Sequence, residues 1–232
     1  MTVMDLDELR ETAVIAGPEL ELAPAESVIE WAVDTFGSRF CVTSSMGDAV
    51  LSHLASRVAP GIDVVFLDTG YHFAETIGTR DAVEATLPVN LITIEPKQTV
   101  AEQDAAYGKD LYKTDPDLCC KLRKVEPLAD RLANYDAWAT GLRRAETHNR
   151  IIAPVVGWDA RKGKVKVSPL ARWSDEQVER YIADNNVLVN PLVYDGYPSI
   201  GCWPCTRRVA PGDDPRSGRW AGTNKTECGI HS

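Results

Sequence analysis

No long apolar run occurs in this 232-residue sequence. A membrane-spanning helix needs about 20 consecutive apolar residues, so no membrane segment is expected. The opening M-T-V-M-D-L-D-E-L-R-E is acidic and lacks the apolar core of a secretory signal. A cytoplasmic protein with reduced thiols is the expectation. Positive charge is also in short supply. Against 34 Asp and Glu stand 25 Lys and Arg, a formal net charge of -9. That excludes broad nucleic-acid binding, which needs a basic face, but leaves room for a small anion held by a local cluster of cations. Internal repeats and low-complexity tracts are absent. What is present, 44% hydrophobic and 25% charged residues, suits a globular chain that can bury a sizeable core.

Residues 5–36 read as two helices, the second carrying Val28, Ile29, Trp31, Ala32 and Phe36 at helical spacing. An alternation of strands and helices follows. Strands are expected at 39–45, 62–68, 90–95 and 136–141, with helices at 49–58, 73–86 and 116–131. This rhythm predicts an α/β fold, a mostly parallel sheet with helices on both faces. Ligands of such sheets gather at the carboxyl ends of the strands, which here carry the polar loops 44–48, 68–72 and 141–146. Beyond about residue 190, Pro and Gly become frequent and periodicity fades. The expected organisation is one α/β domain over 1–205 and a mobile tail over 206–232.

The six cysteines are unevenly placed. Cys119 and Cys120 are adjacent, Cys202 and Cys205 form a C-x-x-C, and Cys228 stands near the end. Cys41 lies mid-strand and reads as an inert core residue. Four thiolates in two pairs can hold zinc or an iron–sulfur cluster. Adjacent cysteines favour the cluster, because neighbours can bind different irons whereas both reaching one small ion is strained. Two unrelated buried or redox pairs are the alternative. Cys228 sits in K-T-E-C-G-I-H, where nearby Lys and His can lower a thiol pKa and favour the nucleophilic thiolate; an exposed thiol without a role is the alternative.

Anion-binding groups are also visible. Ser44, Ser45 and Gly47 lie in S-S-M-G-D between a strand and a helix, a place that suits phosphate or sulfate. A plain helix cap explains them equally well. Arg143 and Arg144 end another strand with forked donors, or form a solvated pair with Glu146. Lys124 is four residues after Cys120 and shares its helix face, where its charge would offset four thiolates. His53 and His148 read as structural, and His72 follows a strand end.

Together, C-C-x-x-R-K at 119–124, G-C-x-P-C-T-R at 201–207, R-x-x-R-W at 216–220 and K-T-E-C-G-I-H at 225–231 resemble the assimilatory adenylyl-sulfate reductases. S-S-M-G-D, L-D-T-G at 67–70 and T-G-L-R-R at 140–144 fit as well, so the resemblance spans nearly the whole chain from about residue 25. It implies a fold similar to the adenine-nucleotide α-hydrolases. It also implies reduction of adenosine 5′-phosphosulfate to sulfite and AMP with thioredoxin as electron donor, in cysteine biosynthesis. On that resemblance Cys228 is the nucleophile that becomes an S-sulfocysteine, and Cys119, Cys120, Cys202 and Cys205 ligate a [4Fe-4S] cluster. Lys124 lies between cluster and substrate, and Arg143, Arg144, Arg216, Arg219 and His231 contact the phosphosulfate. The nearest rival is a 3′-phosphoadenylyl-sulfate reductase, whose members usually lack both cysteine pairs. An ATP pyrophosphatase acting on tRNA fits less well, because the loop is not S-G-G-x-D-S and the basic surface is missing. A cluster-bearing redox sensor would leave Cys228 and the arginines without purpose.

Overall fold

The computed structural model describes residues 4–222, 225, 227, 229 and 230. Among the described residues six strands form one sheet: β1 (Phe40–Ser44), β2 (Ile62–Leu67), β3 (Val89–Ile94), β4 (Ala137–Thr140), β5 (Val156–Asp159) and β6 (Lys164–Val167). Their order is β3-β2-β1-β4-β6-β5. All neighbours are parallel except the β5–β6 hairpin. Strand order reverses between β1 and β4, and a crevice for ligands opens at such a switch point, beyond the carboxyl ends of the strands.

The sheet's side chains alternate between two cores. One face carries Val42, Val64, Phe66, Ala137, Ala139, Val165 and Val167, packed against Leu9 and Ala13 of α1 (Leu6–Leu20), Val28 and Ile29 of α2 (Ala25–Phe36), and Leu54 of α3 (Val50–Val58). The opposite face carries Cys41, Val65 and Trp138, covered by Leu128 and Leu132 of α8 (Glu126–Leu132). Burial drives the Cys41 thiol far above its ordinary pKa, as expected of an inert core residue. The helix expected over 116–131 is interrupted. α7 (Pro116–Cys120) opens into a wide π turn over Lys121–Val125 before α8 begins, and such turns often accompany functional sites. The remaining helices are α4 (Ala74–Thr86), α5 (Val100–Tyr107), α6 (Leu111–Thr114) and α9 (Asp175–Asn185), which Ser174 starts with a capping box to Gln177. No helix among the described residues is long and apolar enough to cross a membrane.

The segment after Cys205 folds back on the domain. Arg207 N–H donates to Gly218 O at 2.9 Å, Val209 N–H to Gly196 O at 2.9 Å, and Trp220 N–H to Cys205 O at 2.9 Å.

Candidate active site

At the end of β1, the loop Ser44–Asp48 is shaped by internal bonds and a brace. Ser44 Oγ accepts from Met46 N–H at 3.3 Å. Met46 is buried with φ 58°, a left-handed conformation that costs a non-glycine residue energy. Asn190, wholly buried, holds it there by donating to Met46 O at 3.0 Å, while its own N–H reaches Gly47 O at 3.0 Å. A side chain at Gly47 would meet nothing within 4 Å, so this backbone borders open space. Ser45 is exposed. Asp48 is exposed as a residue, while its carboxyl group is turned in to accept from Val50 N–H at 2.9 Å. Its carboxyl is raised above the usual carboxylate range by burial, partly offset by its bond from Val50 N–H and by the charge of Arg143.

Cys119 and Cys120 come from α7, and Cys202 and Cys205 from a short turn that Trp203 N–H ties to Tyr71 O at 2.8 Å. All four thiols line one cavity together with Lys124 and Arg123. Tyr71 and Tyr112 line it too, and the exposed Trp203 ring packs on both from outside, with ring centroids 5.6–6.4 Å apart. Burial pushes Cys119 up to about 12, and repulsion from Cys120, Cys202 and Cys205 adds to it. Cys205 is pushed up to about 11 by burial, then by Cys202. Lys124, nine-tenths buried, pulls both the other way.

Cys119 and Cys205, whose ionisation their neighbours disfavour, would need cationic compensation to bind as thiolates, which a multi-iron cluster would supply. A single tetrahedral ion would draw four sulfurs to within about 4 Å of each other. Among the described residues no three His, Cys, Asp or Glu converge in that way. By its chemistry, four thiols and no harder donor, the set suits an iron–sulfur cluster.

Arg123 buttresses this cavity. Its Nε donates to Thr69 O and its Nη1 to Gln98 O and Gln103 Oε1, both at 3.2 Å. Gly70 makes that approach possible, since a Cβ there would lie 2.9 Å from Arg123 Nη2. Thr69 Oγ1 in turn sits 3.2 Å from Cys202 Sγ. His72 uses Nε2 to donate to Leu67 O at 2.8 Å, and burial lowers its pKa.

A file of guanidinium groups leads away from the thiols. Arg219 adds its charge to the surroundings of Cys205. It packs on Gly201, where a Cβ would stand 2.4 Å from its Nη2. Its Nη1 reaches Ser199 Oγ at 3.1 Å, and Arg216 Nη1 reaches the same oxygen at 3.4 Å. Arg216 Nη2 then meets Glu227 Oε2 at 3.4 Å. Glu227 also accepts a fork from Arg150, Nε at 3.0 Å and Nη2 at 2.9 Å. Arg150 is nearly buried and donates its remaining arm to Glu146 at 2.6 Å.

Of the residues singled out in the sequence, the structure thus brings Lys124, Arg216 and Arg219 to one continuous site with the four thiols. Arg143 lies at the crevice near Asp48, bonded to Asp175 at 2.6 Å. Arg144 faces elsewhere, forked onto Glu21 at 2.6 and 3.0 Å with its Nε on Ala153 O. Cys228 and His231 lie outside the described residues. Arg150 was not singled out in the sequence. It is a lone arginine six residues beyond the Arg143–Arg144 pair, and its only signal was its place in the loop that leaves β4 at the switch point.

Comparison with known proteins follows the same lines. The phosphoadenosine phosphosulfate reductase domain family matches residues 39–208. An adenosine 5′-phosphosulfate reductase of Streptomyces coelicolor is 64% identical over 97% of this chain and 95% of its own. One of Mycolicibacterium smegmatis is 55% identical over 100% of this chain and 98% of its own. Among solved structures, a phosphoadenylyl-sulfate reductase from Candida auris superposes with a TM-score of 0.68 at 28% identity, covering 90% of this chain and 99% of its own. A Candida glabrata FMN adenylyltransferase shares the fold at a TM-score of 0.55 and 12% identity, over 89% of this chain and 76% of its own.

Proposed function

The chain belongs to the phosphoadenosine phosphosulfate reductase family, on its adenylyl-sulfate reductase branch, and from that premise we propose that it reduces adenosine 5′-phosphosulfate to sulfite and AMP. The observation that supports this reading most is the continuity of one site. It runs from the four thiols through Lys124 and Arg219 to Ser199, Arg216 and Glu227, the residue before Cys228.

The phosphosulfate anion would meet Lys124, Arg216, Arg219 and Arg150, with Ser44, Ser45 and Gly47 offering hydroxyl and backbone donors at the end of β1. His231 is a further candidate contact by its motif. In the first step the Cys228 thiolate forms a bond to the sulfate sulfur while the bridging sulfur–oxygen bond breaks, its electron pair leaving on the AMP phosphate. Two anions approach each other here, so prearranged cations lower the barrier most. In the second step a thioredoxin thiolate bonds to Cys228 Sγ, and sulfite departs with the electron pair of the broken sulfur–sulfur bond. The second thioredoxin thiol releases Cys228 by disulfide exchange. Cys119, Cys120, Cys202 and Cys205 would hold a [4Fe-4S] cluster, which supplies a compact charged group beside the anion site. The cytoplasm, where thiols stay reduced, suits this chemistry. The α/β domain ending near Cys205 would hold substrate and cluster, and the segment after it would deliver the nucleophile.

Anaerobic protein with reduced thioredoxin should release sulfite from adenosine 5′-phosphosulfate at a higher kcat/KM than from its 3′-phosphorylated analogue. Sulfite from the 3′-phosphorylated nucleotide alone would assign the chain to the rival activity, and none from either would reject the reading.

A further inference from the structure

The residues that bracket Cys228 are both held, and by different parts of the fold. On one side, Glu227 accepts the fork of Arg150, from the loop after β4. On the other, Ile230 O accepts from Lys162 Nζ at 2.8 Å. Lys162 belongs to the turn between β5 and β6, and neither the sequence motifs nor the proposed chemistry uses it. Its ammonium is also fixed by Asp159 at 3.0 Å and lies 5.2 Å from the centre of the Trp138 ring, so its aim does not depend on the tail. The Ile230 side chain packs on the apolar cluster of Cys41, Leu128, Tyr135 and Trp138. Upstream, Lys225 pairs with Asp117 of α7, beside Cys119.

We propose that Lys162 is a positioning residue that, with Arg150, forms a two-point seat for Glu227 and Ile230 and so steadies the segment that carries the nucleophile. The inference rests on the assignment of Cys228 as nucleophile, but the seat itself is a property of Glu227, Ile230, Arg150 and Lys162. A short terminal segment loses backbone freedom when it docks, and two anchored points close to the thiol offset that loss where it matters. Charge-assisted bonds of this kind are the strong ones, and both donors come from loops anchored on the sheet, the one after β4 and the turn between β5 and β6, rather than from the tail itself. Arg150 spends its guanidinium on Glu227 and Glu146, and Glu227 links it to Arg216 of the proposed anion site. Among the described residues Lys162 bonds to Asp159 and Ile230 and lies against Trp138, away from Lys124, Arg216 and Arg219, so its removal should alter delivery of the thiol without altering nucleotide affinity.

The test uses anaerobically purified, iron-replete protein, with Lys162→Met, Lys162→Arg and Ile230→Ala variants. Alkylation of Cys228 by iodoacetamide is followed by mass spectrometry of its peptide, without nucleotide. In parallel, single-turnover sulfur transfer from saturating adenosine 5′-phosphosulfate and the Kd for AMP are measured. The seat predicts that Lys162→Met speeds alkylation by about fivefold or more and slows sulfur transfer by about tenfold, with the Kd for AMP within about twofold of wild type. Lys162→Arg should recover most of both losses, and Ile230→Ala should follow Lys162→Met in direction. If Lys162→Met loses iron or folded structure, Ile230→Ala decides, since it removes only the tail's apolar contact with the cluster around Trp138. Alkylation within about twofold of wild type in Lys162→Met and Ile230→Ala would overturn the proposal. Wild-type protein that transfers no sulfur would instead overturn the proposed function, while the alkylation comparison still decides the seat.

Discussion

The thiol cavity and the guanidinium file are neighbours in space but are secured differently. The thiols ride in pairs on α7 and on one short turn, and their surroundings are backbone bonds and aromatic rings: Trp203 N–H on Tyr71 O, and the Tyr71 ring edge-to-face with those of Tyr112 and Trp203. Arg150 lies far in sequence from Arg216 and Arg219, and the three are linked through shared oxygens, Ser199 Oγ and the Glu227 carboxylate. The first arrangement suits a group that stays. The second holds cations ready while carboxylates from the chain balance them, which suits a ligand that comes and goes.

The sharpest way to break that contrast is to remove a thiol from the cavity. Cys119→Ser should lose most of its iron, about four atoms per chain in wild type, and with it folded stability and all sulfite formation. Iron analysis and a thermal melt check this. Iron retained at the wild-type level would show that the cavity is not the metal site.

Next in size are the cations. Lys124→Ala and Arg150→Met should keep their iron and fold while kcat/KM falls about 30- to 1000-fold, the loss of one contact in a desolvated site. Lys124→Arg should recover only part, since a planar fork does not replace a compact ammonium. A value within about twofold of wild type for either would place that residue outside the transition state.

Arg144→Met tests the opposite expectation. Its fork onto Glu21 and its bond to Ala153 O make it a brace for the end of α1. Activity should change little, and stability should fall by about 1 kcal/mol, or a Tm drop of about 2–4 °C. The hydrogen bond from Arg144 holds the Glu21 carboxyl below its ordinary pKa. This stabilisation is therefore present above that ordinary pKa and is lost as pH falls through the lower folded value. The gap between variant and wild type should close in acid.

The smallest effect concerns Lys166. Burial lowers its pKa to about 8, with Lys162 and Arg150 adding repulsion and Asp159 and Glu227 opposing it. A lysine whose folded pKa is depressed weakens the fold while charged. The cost is fully present below about pH 8 and disappears as pH rises past the unfolded value near 10.5. Lys166→Met should gain about 1 kcal/mol at pH 7, allowing for its partial exposure, and nothing near pH 11. Melts across that range check it.

The sequence carried much of this architecture and part of the site. Strands β1 to β4 were legible because each is an apolar run between turn residues. β5 and β6 were not. They have four residues each, and K-V-K-V in β6 looks like an exposed stretch until Lys166 is seen lying along Trp138, its ammonium 5.4 Å from the ring centre. α9 escaped because none of its residues is fully buried, which leaves only its capping box as a marker. The cysteine pairs and Lys124 could be read because they lie close together in the chain. Arg144 drew attention as half of an arginine pair, yet its partner Glu21 is over a hundred residues away. Arg150 and Lys162 could not be read, since their roles depend on contacts with a tail far along the chain.

The central claim is that the four clustered thiols and Cys228 do separate work. Incubating iron-replete protein with adenosine 5′-phosphosulfate in the absence of any thiol donor tests it directly by peptide mass spectrometry. The account predicts a gain of one SO₃ group on the Cys228 peptide alone, and its complete absence in a Cys228→Ser variant that keeps wild-type iron. An adduct on Cys119, Cys120, Cys202 or Cys205, or an adduct that survives in Cys228→Ser, would contradict it.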